Sequence, residues 1–370
     1  MSNDSHDVAI KWIEPQTVVS VRRSVTDQAA IAEEIARLRE TVGGALAGAP
    51  IARVLGLGDD GGFDVEIAFP VADDASIDGM ERTTLPGDYI FSARHVGPYV
   101  KTDEADGVRK ATLKAAGWAS ERSLLIGDNP TRYVYHEGPE THGDRADAYV
   151  TDVQISYHWP VWLESLREGI AACTDAETAA EVTAGGAALI EETDADVIRA
   201  WVLEATAKLD DVVADKQVRA CVLQDCAHHY PRAQLHRMRA VYDEIGDLRR
   251  FIDRLSEDKD LFPAKLWLDE SGDRPLVYIQ RGVPPWNREA YDAATDPVEK
   301  RYHQCFCVMV REAIRTGEPI SPDFCNCSGG WFVQMWEAIL DRRLRIDVVE
   351  SVLQGHDRCL FAVYVPEELL

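Results

Sequence analysis

No run of about 18 apolar residues occurs in this chain, so no helix is expected to cross a membrane. The opening stretch MSNDSHDVAIKW lacks the basic-then-apolar layout of a signal peptide, and a cytoplasmic location is expected. Basic residues are scarce: 39 Lys and Arg stand against 64 Asp and Glu, a formal net charge of -25. Duplex DNA is bound by neutralising phosphates, so such a chain repels it. No helix-turn-helix-like stretch with clustered Arg and Lys compensates, and no nucleic-acid partner is expected. A neutral or cationic small molecule fits that charge better. The spacing C-x-x-C is also absent, although eight cysteines are present and seven of them follow residue 220. A reducing compartment keeps thiols reduced, so no disulfide framework is expected. It leaves metal binding, thiol reactivity or burial.

What is present fits a globular protein. The 370 residues suggest two domains, and 46% hydrophobic with 28% charged residues is ordinary for a folded chain. TVVSVRRS (17–24) is rich in β-branched residues and reads as a strand. In the next segment Ile31, Ile35, Leu38 and Val42 fall on one helical face, with Thr26 or Asp27 as cap and Gly43-Gly44 as stop. FDVEIAFPV (63–71) alternates, as a strand with one buried face does. The pattern then repeats. DYIFSARHV (88–96) is a strand broken by Gly97-Pro98. A helix capped by Thr102, with an acidic first turn, closes at Gly117, and strands follow at 131–137 and 147–156. The first half is thus a duplicated strand-helix-strand-strand unit of α+β class, and a ligand site can form where the two copies face each other.

LPGDYIFSARHVGPYVKTDEADGVRKATLKAAGW, with YVYHEGP and AYVTDVQIS, resembles the GyrI-like effector-binding domain over about residues 6–157. That domain also stands behind the DNA-binding parts of AraC-type and MerR-type regulators. The resemblance implies an α+β duplication enclosing a pocket for small, often lipophilic or cationic compounds. It also implies an acidic pocket residue on the last strand. The Thr-Glu pair of the family is here Thr151-Asp152, and a second glutamate is replaced by Tyr133. Independently of this, Trp12, Tyr89, Tyr99, Tyr133, Tyr135 and Tyr149 are a dense aromatic set that suits a cavity and holds cations. A carboxylate such as Asp152 among aromatic rings would have a raised pKa and serve as an acid or base. The plain alternative is that strand aromatics fill a core.

Pro160 marks a joint at about 158–164, and a second α+β, helix-rich domain is expected over 165–370. Residues 194–256 read as helical, with Val197, Trp201, Ala205 and Leu209 on one face. KLWLDE and PLVYIQRG read as paired strands. Asp296, Pro297 and Glu299 open a helix running toward Thr316, which would place Cys305 and Cys307 inside it. A helix over 328–340 is capped by Ser328, and strands at 344–353 and 358–366 close the chain. FCNCSGGWFVQMWEAILDRRLRIDVVESVLQGHDRCLFAVYVP is similar to the C-terminal half of 4-vinyl-reductase-type small-molecule-binding domains. It is more similar still to cysteine-rich relatives grouped near the thiazoline-carboxylate hydrolases. The resemblance covers about 210–370 and rests on Gly355, Cys359 and Phe361 after a small-residue helix start.

Three roles are open for the thiols. They are buried and structural. Or Cys221, Cys226, Cys325 and Cys327 hold a zinc ion, the one cofactor the pattern suggests. Or Cys327, before a helix N-terminus that lowers its pKa, is a nucleophile. Two functions follow. One is a protein that senses or sequesters a lipophilic or cationic small molecule, without membrane or nucleic acid. The other is a hydrolase of small electrophilic or lipophilic compounds that uses Asp152 with a tyrosine, or Cys327.

Overall fold

The computed structural model describes residues 8–57, 62–74, 76–103 and 106–370. The chain divides into two compact units, Met1–His158 and Trp159–Leu370. The first unit consists of β1 (Val8–Ile13), β2 (Gln16–Val25), α1 (Gln28–Val42), β3 (Ile51–Leu57), β4 (Phe63–Pro70), β5 (Glu81–Leu85), β6 (Asp88–Val96), α2 (Arg109–Glu121), β7 (Arg132–Glu137), α3 (Pro139–His142) and β8 (Val150–Ser156). Its eight strands form one curled antiparallel sheet in the order β1-β6-β8-β7-β3-β4-β2-β5. The order reads the same from both ends once β2-α1-β3-β4 is matched with β6-α2-β7-β8. The duplication in the sequence is therefore a two-fold repeat in the sheet, joined where β3 meets β7.

Local rules account for α1. Asp27 accepts hydrogen bonds from the backbone N–H groups of Ala29 and Ala30, and Gly43 ends the helix at φ 54°. Ile31, Ile35, Leu38 and Val42 are its buried face. The second helix begins later than expected, at Arg109. Thr102 is outside it and Gly117 is inside it. The segment before it doubles back, with Val108 donating to the Tyr99 carbonyl at 3.1 Å. Gly107 is held against that fold, since a Cβ there would meet the Lys101 nitrogen at 2.6 Å. Residues 104 and 105, in the expected acidic first turn, lie outside the described residues. β4 differs too: from Val65 onward it is buried on both faces, because it lies between β2 and β3 with helix on one side.

The second unit has α4 (Trp159–Cys173), α5 (Ala176–Val182), α6 (Ala195–Val212), α7 (Lys216–Asp225), α8 (Arg232–Ile245), α9 (Leu248–Glu257), β9 (Lys265–Asp269), β10 (Leu276–Gln280), α10 (Arg288–Ala293), α11 (Pro297–Gln304), α12 (Ala313–Thr316), α13 (Asn326–Leu340), β11 (Arg345–Glu350) and β12 (Leu360–Tyr364). Its antiparallel sheet has the order β11-β12-β10-β9. The core gathers Phe251, Leu255 and Phe262 with Phe332, Trp336 and Phe361.

Three expectations change here. On α6 the buried face is Ile198, Val202, Ala205 and Leu209, while Val197 is 43% exposed. Spacing of 4, 3 and 4 stays on one face, whereas repeated steps of four drift around the helix. The helix opened by Asp296 stops at Gln304, so Cys305 is its C-cap and Cys307 lies in irregular backbone just before a turn, neither inside a helix. α13 starts at Asn326 rather than being capped by Ser328, with Cys325 at the N-cap and Cys327 in the first turn.

Candidate functional site

Strand alternation sorts the side chains of the first unit onto two faces. Tyr133 pairs with Val153 and Ala52, and Tyr135 with Thr151. Their hydroxyls reach the helices: Tyr133 Oη lies 3.2 Å from Thr112 Oγ1 on α2, and Tyr135 donates to Gln28 Oε1 on α1 at 3.2 Å. Tyr135 packs on Tyr99 at 5.3 Å between centroids, and Tyr99 on Tyr149 at 5.0 Å. Trp12 and Tyr89 form a separate pair at 5.0 Å, on the edge strand β1 and its neighbour β6. Burial pushes the phenols of Tyr99, Tyr133 and Tyr135 up, so they stay neutral. Most of the aromatic set is thus core under the helices.

Asp152 pairs with Arg94 and Val134, and so points to the opposite, inner face. The expected arrangement of Asp152 ringed by Tyr133 and Tyr135 does not form, because strand neighbours of opposite parity point apart. Its carboxylate instead accepts hydrogen bonds from Arg94 Nε at 2.8 Å and Nη2 at 3.2 Å, and lies 3.0 Å from His136 Nε2. Burial pushes Asp152 up, but the hydrogen bonds and charges of His136 and Arg94 outweigh it. They hold the group well below the usual carboxylate range, contrary to the raised pKa expected. A carboxylate so acidified is a weak general base.

A stability signature follows. The folded-state pKa of Asp152 lies below its unfolded value of about 3.9, so its contribution is complete at neutral pH. It is lost as pH falls through the depressed folded value. Asp152→Asn is expected to lower the urea midpoint at pH 7, with the gap to wild type narrowing below about pH 4. A gap that widens in acid would contradict the pairing.

The inner face also carries Glu66, at the place in β4 that Asp152 holds in β8. Each lies opposite an arginine in register, Arg22 for Glu66 and Arg94 for Asp152. Glu66 accepts from Ser20 Oγ at 2.8 Å and from Arg53 Nη1 at 2.5 Å. A cavity of about 560 Å³ opens there, lined by Ser20, Arg22, Arg53, Glu66, Thr83 and Leu85 among others. Beside it, burial and the charge of Arg53 push the Arg132 guanidinium down, against the pull of Asp88 and Glu66. Sequence reasoning passed over Glu66. The signal was the repeat itself, which sets Val65-Glu66 of FDVEIAF against Thr151-Asp152 of YVTDVQIS.

In the second unit the structure separates the expected metal ligands. Cys221 is exposed, whereas Cys226 is buried and donates to the Val222 carbonyl at 3.3 Å. Cys325 Sγ lies 2.8 Å from Ser351 Oγ, and Cys327 Sγ points to the Cys226 carbonyl at 3.8 Å. Among the described residues no three of these four sulfurs lie within 4.8 Å of one another. Two sulfurs on one zinc ion sit about 3.8 Å apart, so no zinc tetrahedron is preformed. Burial pushes Cys327 up to about 12, with Cys307 adding to the rise and Arg281 opposing it. The helix start was expected to lower it. Desolvation of a thiolate outweighs a terminal dipole here, and Cys327 is held as a thiol.

Residues 6–158 match the family described as GyrI-like small molecule binding domain. Solved structures with likeness to this region include the EcmrR C-terminal domain, 22% identical, with a TM-score of 0.34, covering 40% of this chain and 96% of that one. Another is SAV2435 bound to tetraphenylphosphonium, 16% identical, with a TM-score of 0.29, covering 41% and 93%. A hydrolase encoded by lin2189 from Listeria innocua is 10% identical, with a TM-score of 0.29, covering 41% and 91%. No curated protein matches the chain.

Proposed function

We propose that this protein senses or sequesters a small molecule, and that its GyrI-like unit binds it in the inner-face cavity beside Glu66. The observation that carries this reading is the cavity. Its volume of about 560 Å³ falls in the range of small-molecule sites, and a few fixed polar groups converge on it. Arg22 and Arg53 share that face with Glu66 and Glu81, and Glu66 already holds Arg53, which leaves the exposed Arg22 as the cation open to a ligand. The exposed Arg22 favours a small ligand with an acidic group. The lipophilic cation that the family resemblance implies would meet the Arg22 and Arg53 guanidinium groups here. Asp152, on the same face, is the alternative anchor for such a cation.

Thermal melting of the full chain with a panel of small organic acids, and separately with tetraphenylphosphonium, tests this. Ligand at 100 times its dissociation constant stabilises the native state by about 2.7 kcal/mol. Acids are expected to raise the melting temperature, and Arg22→Ala to abolish the rise. Arg22 is exposed and has no ion pair among the described residues, so its removal leaves the fold intact. A rise with tetraphenylphosphonium alone, lost in Asp152→Asn, would move the site and overturn the cavity reading. No rise with either probe would overturn the small-molecule reading of this site.

A further inference from the structure

The cavity beside Glu66 is a notch at the open end of the β2–β5 pair. β5 begins at Glu81, opposite Ser20, whereas β2 runs on to Val25. Beyond Ser20, β2 keeps β4 on one side and, among the described residues, has no strand on the other. The Thr17 carbonyl accepts from Val71 at 3.1 Å, on the β4 side. In an antiparallel pair the direction of hydrogen bonding alternates residue by residue. Val18, Ser20 and Arg22 therefore turn their backbone groups away from β4. Val18 and Ser20 meet Thr83 and Glu81 there. At Arg22 the partner strand is missing, so its N–H faces the notch, while its carbonyl accepts from Arg23 Nη1 at 2.8 Å.

Two opposite charges in the notch are left over. Ser20 and Glu81 are directly opposite and Arg22 is two positions along, so all three side chains share one face. Glu66 is engaged by Ser20 Oγ and Arg53 Nη1, and Arg23 lies against Glu34. Arg22 and Glu81 line the cavity and are exposed, and among the described residues neither side chain has an ion pair or a hydrogen bond. Cβ atoms placed diagonally across two strands are about 7–8 Å apart, within reach of long side chains. These two charges nevertheless do not close on each other. Arg53, also on the cavity wall, keeps a buried Nε–H without a hydrogen-bond partner among the described residues. Buried donors are ordinarily met, and an acceptor on a ligand would meet this one.

We propose that the ligand of this cavity is a short zwitterion, an acid that also carries an ammonium group, as a free amino acid does; this rests on the small-molecule reading of the same cavity. Its acid group accepts from the Arg22 guanidinium and from the donors around it, the Arg22 N–H and Arg53 Nε–H. Its ammonium group donates to Glu81. A plain acid leaves Glu81 facing like charge, and a plain cation leaves Arg22 doing so. Thr83 and Leu85, further along the same face of β5, form the inner wall and suit a short body better than a long apolar one.

Isothermal titration calorimetry of the full chain at pH 7 tests this with matched pairs, alanine against propionate and 4-aminobutyrate against butyrate. In at least one pair the amino compound is expected to bind about tenfold more tightly, as one charge-assisted contact provides. Glu81→Gln should remove that preference and leave the affinity for the plain acid unchanged. Arg22→Ala should abolish binding of both members. Glu33→Gln, at an exposed carboxylate on α1, should keep the preference, which separates a local contact from the overall negative charge. Equal affinities within both pairs, or a preference that survives Glu81→Gln, would overturn the zwitterion and leave a plain acid as the ligand. Absence of binding by all four compounds would also overturn it, and melting with the wider acid panel then judges the small-molecule reading separately.

Discussion

Gly330→Ala is expected to destabilise the second unit by at least about 3 kcal/mol, seen as a marked fall in the urea midpoint. Gly330 lies in α13 where that helix crosses α7, and a Cβ there would stand 2.0 Å from the Gln224 carbonyl oxygen and 2.8 Å from the Ala227 Cβ. The obstacle is backbone, so no rotamer relieves it; the two helices must separate. α13 also contacts β11 and α8, so separation spreads into the core. The neighbouring glycine is the control. A Cβ on Gly329 meets nothing closer than Ile346 Cγ2 at 3.7 Å. Gly329→Ala is therefore expected to be neutral or slightly stabilising, since alanine is the better helix former. Equal losses in both variants would mean that helix approach is not what Gly330 serves.

Trp336→Ala is expected to cost about 3–5 kcal/mol in the same measurement. Trp336 is fully buried, edge-on to Phe251 at 6.3 Å, within the cluster that joins α9, α13 and the four-stranded sheet. Its removal leaves a cavity that a core made of several elements cannot close. The indole has one unfavourable feature: its Nε1–H is buried without a hydrogen-bond partner among the described residues. Such a donor costs about 1–3 kcal/mol. Trp336→Phe, which keeps a ring and removes the donor, should therefore lose much less than half as much as Trp336→Ala. A phenylalanine variant as unstable as the alanine one would show that shape, not the unpaired donor, dominates the site.

The helix α1 and the strands β2, β4, β6, β7 and β8 were legible because each is announced locally. Asp27 and Gly43 bound α1, and its four apolar residues share a face at the helical period. The strands β1, β3 and β5 were passed over. VAIKWI, IARVLGL and ERTTL carry little alternation, and they are strands because neighbours in the sheet supply their hydrogen bonds. HQCFC continued a helical pattern in sequence, yet α11 ends at Gln304 and the chain turns there. The candidate site was half legible. Asp152 was found from its place on the last strand, and its counterpart Glu66 was within reach of the same repeat. Arg281 had no local mark, since nothing in PLVYIQRG shows that the rings of Phe306, Trp331 and Phe332, all distant in the chain, close over its guanidinium.

The sequence by itself determined the two-part organisation, the duplicated first half, the caps at Asp27 and Asp296 and the pairing of β9 with β10. These depend on residues within a few positions of one another, where the periods of helix and strand act directly. Tertiary structure decided which face of the sheet each side chain meets, and so why Tyr133 and Tyr135 are core while Asp152 and Glu66 face inward. It decided the ionisation of Asp152, through Arg94 on β6 and His136 on β7. It decided that burial overrides the helix dipole at Cys327. The physical reason is common to all of these. Charge, solvation and cavity shape are set by groups distant in the chain, and they take their values only once the chain has folded them together.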